Sequence, residues 1–336
     1  MRPLGPFAVH MLLVASFIAA ALSICPTLCV AAPQFPNPVY PVGRNPYGMV
    51  KADFDGDGTE DLVVSNFGNI SNPGFIPGGL SLLRGLGNGT FADAIQIPLS
   101  HNPSEVTASD FNHDGRPDLA VIFLQGGSFL LNQGSLHFGP ETPLPTAMYG
   151  WDLRSADFNG DGTGDLVIHG NVASQHFFQA LFFDTDHFVA GPAVPAGPYS
   201  TLMYANWVVK PGDFNGDGKD DLALATSDPY LSSSTVLIYP SAGDGSFSSP
   251  VSLTVQGRTW SAFTAELNGD GLMDLVYETY RYVPNVGGEN TFTLLYGRGD
   301  GTFDPGPHYS AIGDGGLYAL VAGDLNGDVV RDFIAV

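Results

Sequence analysis

Six short acidic turns constrain what this chain can fold into. The first is Asp53-Phe54-Asp55-Gly56-Asp57-Gly58-Thr59-Glu60-Asp61, and variants of it begin at Asp110, Asp157, Asp213, Glu266 and Asp324. Their first residues lie 57, 47, 56, 53 and 58 positions apart. A period of this length marks stacked structural units rather than scattered sites. In each turn acids occupy positions 1, 5 and 9, position 3 is Asp or Asn, and five of the six carry glycine at position 6. A glycine there supplies the positive φ that curls those oxygens around one point, an arrangement suited to a hard cation such as calcium.

An EF-hand is excluded. Its twelfth position is a bidentate Glu leading into a helix, whereas here that position is Val64, Val121, Ile168, Leu224, Tyr277 or Ala335, inside apolar runs such as Leu62-Val63-Val64 that read as strands. The first unit predicts strands over 47–54, 61–66 and 79–84, then a turn at Gly87-Asn88-Gly89-Thr90-Phe91 into an outer strand ending near Leu99. Equivalent turns are expected at Asn132-Gln133-Gly134 with Phe138, at Asp184-Thr185-Asp186 with Phe188, at Gly243-Asp244-Gly245 with Phe247 and at Gly299-Asp300-Gly301 with Phe303. No stretch sustains a helical period, so the chain reads as all-β.

The pattern D-F-[DN]-G-D-G-x-x-D-L resembles the FG-GAP or VCBS repeat, the unit also found in the integrin α-subunit propeller, and it covers the chain from about residue 35 to 336. The resemblance implies a β-propeller of four-stranded blades with six repeats present. Asp332 to Val336 matches the second strand of a blade, where the sequence stops, and Phe35 to Val42 resembles an outer strand without a blade. A truncated seven-bladed propeller is the resulting expectation, with a defective six-bladed ring as the alternative.

The resemblance also implies Ca²⁺ as cofactor, held by side chains at positions 1, 3, 5 and 9 and by the carbonyl at position 7. Carried over, the metal set of loop one is Asp53, Asp55, Asp57, Thr59 and Asp61, and that of loop two is Asp110, Asn112, Asp114, Arg116 and Asp118. Loop three offers Asp157, Asn159, Asp161, Thr163 and Asp165, and loop four Asp213, Asn215, Asp217, Lys219 and Asp221. Loop five offers Glu266, Asn268, Asp270, Leu272 and Asp274, and loop six Asp324, Asn326, Asp328, Val330 and Asp332. Position 7 is expected to be indifferent to side chain. Loop one, with four carboxylates, should bind tightest; loop five starts with the longer Glu266, and loop six has Val329 where glycine is wanted.

The net charge of −22 follows from this chemistry, because 19 of the 34 acids stand at positions 1, 3, 5 and 9. Six bound divalent cations would bring the net charge to −10. With only 12 Lys and Arg and no basic stripe, no nucleic-acid partner is expected. Residues 1–32 read as an export signal, with Arg2, an apolar run from Met11 to Ile24 and a small-residue cleavage site at Cys29-Val30-Ala31. A lipoprotein anchor at Cys25 fits poorly after Ile24, and membrane contact is expected only if the segment stays uncleaved. The mature chain, 33–336, is then one propeller domain with an incomplete C-terminal blade, secreted or at the cell surface. Both cysteines fall in the signal, so no disulfide is expected to staple it.

Two registers of the inner strands stand out. One residue before each loop stands Ala52, Ser109, Ala156, Gly212, Ala265 or Gly323, all small, as a tapering central channel requires. Six before each loop stand Tyr47, Ser104, Trp151, Trp207, Trp260 and Tyr318, at the strand end away from the acids. These aromatic residues either pack between blades or form a stacking platform, so Tyr47, Trp151, Trp207, Trp260 and Tyr318 are the candidate ligand-binding set.

The expected function is a binding module for glycans or protein partners, with calcium structural. Its ligand face would be built from Asn69 to Gly79, Pro143 to Trp151, Val194 to Trp207 and Arg281 to Asn290. The rivals are a polysaccharide lyase or hydrolase on a propeller frame, and the scaffold of a longer surface protein. No nucleophile elbow, P-loop or H-E-x-x-H occurs, and no catalytic residue is assigned. Arg298-Gly299-Asp300, the adhesion tripeptide, reads as an ordinary hairpin turn of this repeat.

Overall fold

A computed structural model of the chain describes residues 11–13, 39–69, 77–173, 175–196, 206–227, 233–283, 287–312, 320–323 and 332–335. Among the described residues all regular structure is strand, in successive antiparallel sheets. Blade 1 consists of Pro46–Ala52, Asp61–Asn66, Gly79–Leu83 and Ile95–Pro98, paired in chain order. Blade 2 is Pro103–Ser109, Asp118–Phe123, Gly127–Leu130 and the short Thr142–Pro143. In blade 3, Tyr149–Ala156, Asp165–Val172 and Gln175–Asp184 are followed by His187–Ala190 and Val194–Pro195, which both pair with Gln175–Asp184.

Blade 4 is Asn206–Gly212, Asp221–Ser227, Ser233–Tyr239 and Val251–Gln256, and blade 5 is Arg258–Ala265, Asp274–Val283, Gly287–Gly297 and Phe303–Ile312. Leu320–Gly323 and Asp332–Ala335 open a sixth, where Met11–Leu13 lies parallel to Asp332–Ala335. The first strands of successive blades neighbour one another in chain order, which sets the sheets radially around a common axis, as in a β-propeller.

The core lies between blades rather than inside one layer. Phe54, Val63, Leu80 and Leu82 of blade 1 pack on Val106, Leu119, Val121 and Phe123 of blade 2. Phe158, Val167 and Phe178 of blade 3 meet Val209, Leu222, Leu224 and Leu237 of blade 4 in the same way. A repeated aromatic contact fastens each joint. The Phe at loop position 2 of one blade meets, edge to face, the Phe that follows the outer hairpin of the next, as in Phe54–Phe138, Phe111–Phe188, Phe158–Phe247 and Phe214–Phe303, with centroids 5.2–5.9 Å apart. Ahead of blade 1, Tyr40 takes the same role against Phe91, with a centroid distance of 5.4 Å and its hydroxyl accepting the Phe91 N–H.

Three expectations are revised. The outer strand expected over 35–42 is not formed by 39–42, and 35–38 lie outside the described residues. The blade 2 hairpin turns at Ser135-Leu136, not at Asn132–Gly134. Both turn residues have positive φ, 54° and 61°, the two-residue geometry whose twist matches paired strands, here made without glycine. The small residues before the loops answer to the neighbouring blade as well as to channel taper. A Cβ on Gly212 would lie 2.8 Å from Met273 Cγ, and the Ser109 side chain occupies the space where Gly164 lacks one.

Candidate functional site

In loops one to five the chain folds each acidic turn on itself. In loop one the Asp53 carboxylate accepts the N–H groups of Gly56, Asp57 and Gly58 at 2.8–3.1 Å, Asp55 accepts Asp57 N–H at 3.2 Å, and Asp57 accepts Thr59 N–H at 2.8 Å. Position 6 has φ of 81–85° in all five, and a Cβ there would meet nothing, so glycine is kept for conformation and not for space. His113, at position 4 of loop two, adopts the same left-handed backbone with φ 58°. Glu266 shifts this pattern by one residue, its Oε1 accepting the N–H groups of Asn268, Gly269 and Asp270, positions 3 to 5, where Asp53 accepts those of positions 4 to 6.

The position 9 aspartates, Asp61, Asp118, Asp165, Asp221 and Asp274, are completely buried at the start of each second strand. Each accepts the N–H of position 2, and four accept a second N–H from the far end of the third strand, namely Gly85, Asn132, Ser241 and Gly297. Asp165 breaks the rule: its Oδ2 accepts Phe158 N–H at 3.0 Å, while Oδ1 is buried without a hydrogen-bond partner. Burial pushes the carboxyls of Asp118, Asp221 and Asp274 up to about 6 and Asp165 up to about 8, the last aided by Asp161 and Asp157. A buried carboxylate oxygen without a hydrogen-bond partner, beside two more acids, is a group that would fit a cation. In loop one, carboxylate oxygens of Asp53, Asp55 and Asp61 lie within 4.8 Å of one another, close enough to share one ion.

Position 7 is not indifferent to side chain. Arg116 pairs with Asp114, and Lys219 Nζ lies 2.7 Å from Asp217, so loops two and four set an internal cation on the position 5 acid. Such exposed pairs are weak, but they would compete with an ion for the same oxygens. In loop six, 324–330 lie outside the described residues, as does the side chain of Asp332.

The loops are also tied to the following blade. Asn132 N–H donates to Asp118 of its own blade, and its Nδ2 donates to Phe54 O of blade 1 at 2.9 Å and to Pro117 O at 3.0 Å. Ser241 repeats this between Asp221 and Phe158 O. Asn132→Ala is expected to lower unfolding stability by about 1–3 kcal/mol, because it strands the buried Phe54 carbonyl and the half-buried Pro117 carbonyl; urea titration of the two proteins measures it.

At the opposite end, the aromatic register coincides with a break in strand pairing. Ser104, Trp151 and Trp260 are bulged residues between their first and second strands, and Tyr47-Gly48 lie in an equivalent break. Bulges turn a side chain out of the ladder. Tyr47 is 71% exposed and Trp151 46%, and together they line a cleft of about 290 Å³ with Phe67, Ser104, Leu124 and Gly150. The Trp151 ring rests on His176, centroids 4.7 Å apart, and burial holds neighbouring His169 down to about 3, a neutral backing for the indole. The strand of Trp207 pairs without a break; the side chains of Trp207 and Trp260, and all of Tyr318, lie outside the described residues. In the Arg298-Gly299-Asp300 turn, Arg298 bonds Asp304 while Asp300 accepts Thr302 N–H, so both charges are engaged within the hairpin.

A family model for the FG-GAP-like repeat matches residues 53–121 and 213–277, each match running from the first acid of one loop into the second strand of the next blade. The chain carries FG-GAP-like repeats. Phosphatidylinositol-glycan-specific phospholipase D of Bos taurus is 30% identical over 218 residues, 55% of this chain and 24% of that protein. Integrin alpha-PS5 of Drosophila melanogaster is 32% identical over 143 residues, 36% of this chain and 14% of that one. The chain therefore spans about a quarter or less of the length of these relatives. Among solved structures, a lectin from Agrocybe aegerita, described for its specific recognition of non-reducing terminal N-acetylglucosamine, superposes with a TM-score of 0.54 at 21% identity. The match covers 85% of this chain and 74% of that one, and at such identity the likeness is one of fold.

The repeat pattern does not foretell a charged cluster across the first strands of blades 2 to 4. Arg154 lies 2.7 Å from Asp152 and 3.9 Å from Glu105, and Lys210 acts on both acids. Burial pushes Glu105 up to about 7 and brings Lys210 down to about 8. These residues stand three and five positions before their loops, registers with no shared residue type, so only the folded arrangement of neighbouring first strands brings them together.

Proposed function

We propose that this FG-GAP-like propeller is an exported glycan-binding module, with calcium in its acidic loops and the sugar at the opposite face. The observation that carries the sugar reading is the cleft of Trp151 and Tyr47: two exposed aromatic rings at strand breaks, one backed by uncharged imidazoles, give a flat apolar surface on which a pyranose ring can stack. The lectin of like fold supports the reading by analogy only.

Calcium, when bound, would neutralise the converging carboxylates and supply no reaction. Asp165 Oδ1 and the Asp53, Asp55 and Asp61 oxygens are the groups that fit it. The polar residues on the sugar face are ordered for binding rather than for nucleophilic attack. Ser100 Oγ stands between His101 Nδ1, at 2.9 Å, and Glu141 Oε1, at 2.8 Å, whereas a hydrolase triad needs the histidine in the middle.

On a glycan array in millimolar calcium, the protein is expected to mark a defined set of sugars. Trp151→Ala is expected to cut that signal at least tenfold without moving the calcium-dependent melt. Binding confined to protein ligands, or unaltered by Trp151→Ala and Tyr47→Ala together, would refute the reading.

A further inference from the structure

The aromatic cleft does not end at Trp151. A second cleft of about 440 Å³ shares Phe67 and Leu124 with it, and a third of about 350 Å³ shares Ser100, His101, Phe123 and Gln125 with the second. The three follow one another across the face of blades 1 to 3 away from the acidic loops. Each is near the lower bound of a small-molecule site, about 300 Å³, so together they offer a track for several linked rings rather than a seat for one.

The far end of this track is a polar cage. Glu141 accepts Ser100 N–H on Oε2 at 2.8 Å, and Ser100 Oγ and Ser128 Oγ on Oε1 at 2.8 and 3.0 Å. A carboxylate offers about four acceptor directions, which leaves one. Ser100 spends its only hydroxyl proton on Glu141, so its 2.9 Å contact with His101 requires a proton on His101 Nδ1, and in the neutral ring Nε2 is then an acceptor. The His101 ring lies 5.1 Å from Phe123 at 34°, completing a partly stacked wall. Acceptors thus dominate the cage, and no Lys or Arg is among the described residues that line any of the three clefts. Hydroxyl donors suit such a surface, and carboxylates or sulfates would meet Glu141 and the −22 net charge without a counter-cation.

We propose that these clefts form one groove for an extended, electrically neutral sugar chain, stacked at Trp151 and Tyr47 and hydrogen-bonded at its other end by Glu141, Ser100 and His101. This rests on the glycan-binding reading above and narrows it: a uronate-cleaving lyase must neutralise its substrate's carboxylate, and among the described residues lining the groove there is no Lys or Arg to do so.

Calorimetry of the full chain in calcium, against N-acetylglucosamine oligomers and cello-oligosaccharides of one to five units and against oligogalacturonides, tests it. For a neutral series, affinity is expected to rise at least tenfold from one unit to three and then level off. Glu141→Gln is expected to lower affinity for the trimer about tenfold, the loss of one charge-assisted hydrogen bond, and to leave the monosaccharide unaffected. Gln125→Ala, on an exposed turn of the middle cleft, should act the same way if the Glu141 variant folds poorly. Affinity independent of chain length, or Glu141→Gln weakening monosaccharide and trimer alike, overturns the groove while leaving a one-ring site at Trp151. Tighter binding of oligogalacturonides than of either neutral series overturns the charge argument. Binding of none of these sugars overturns the groove, and with an empty glycan array it removes the glycan reading too.

Discussion

In excess EGTA the melting temperature of this protein is expected to fall by on the order of 10 °C relative to millimolar calcium. Extracellular calcium modules bind at about 10⁻⁴ to 10⁻³ M, so at roughly ten times Kd each filled loop contributes ~1.4 kcal/mol. Four filled loops contribute about 6 kcal/mol, comparable with the net stability of a whole domain. At ~2.1 cal/mol/K of unfolding entropy per residue, spread over 336 residues, that is a drop of this size. The bonding around the loops gives the effect its reach. Asp118 and Asp221 hold Asn132 and Ser241, which hold the Phe54 and Phe158 carbonyls of the preceding blades, so loosening one turn loosens a joint. Loops two and four should lose their ion first on titration with chelator, because Arg116 and Lys219 already lie on their position 5 acids. A melt that does not move between calcium and EGTA would sink the structural role of the metal, and magnesium restoring it fully would sink the choice of ion.

The loops and strands were legible in the sequence because one constraint fixes both: acids at alternate positions need a tight turn, and a turn that tight must join adjacent strands. Asp61, Asp118, Asp165, Asp221 and Asp274 were found as ligand candidates for the same reason, and all five begin a second strand. Their partners were not legible, because Asn132 and Ser241 stand where other blades have Gly85 and Gly297, and hydrogen bonding to a backbone N–H asks nothing of the side chain. The short outer strand Thr142–Pro143 and the Ser135-Leu136 turn escaped because neither carries an Asn-Gly or Asp-Gly signal. On the face away from the acidic loops the aromatic register was visible, since tryptophans are rare and evenly spaced. The Glu141 cage was hidden: its members come from the link between blades 1 and 2, the third strand of blade 2 and the approach to its outer strand, and nothing in their spacing relates them.

Phe158→Ala is expected to cost about 3–5 kcal/mol, the range for emptying the site of a fully buried phenylalanine. The ring is completely buried, packs edge to face on Phe247 of the next blade at 5.8 Å, and belongs to the cluster that joins blades 3 and 4. Phe247 in turn meets Phe178 at 5.1 Å, so the second ring is shared by two partners in blade 3. Phe158→Ala and Phe247→Ala together should therefore cost less than the sum of the two, by about 0.5–1.5 kcal/mol, the coupling typical of an aromatic pair. In a ring of sheets that touch only their neighbours, the damage should stay at the joint. Amide exchange is then expected to quicken first in Asp165–Val172 and Asp221–Ser227, and last in blade 1. Strict additivity of the two substitutions, or exchange quickening evenly around the propeller, would show that the phenylalanine at position 2 of the acidic turn fills space without joining one blade to the next.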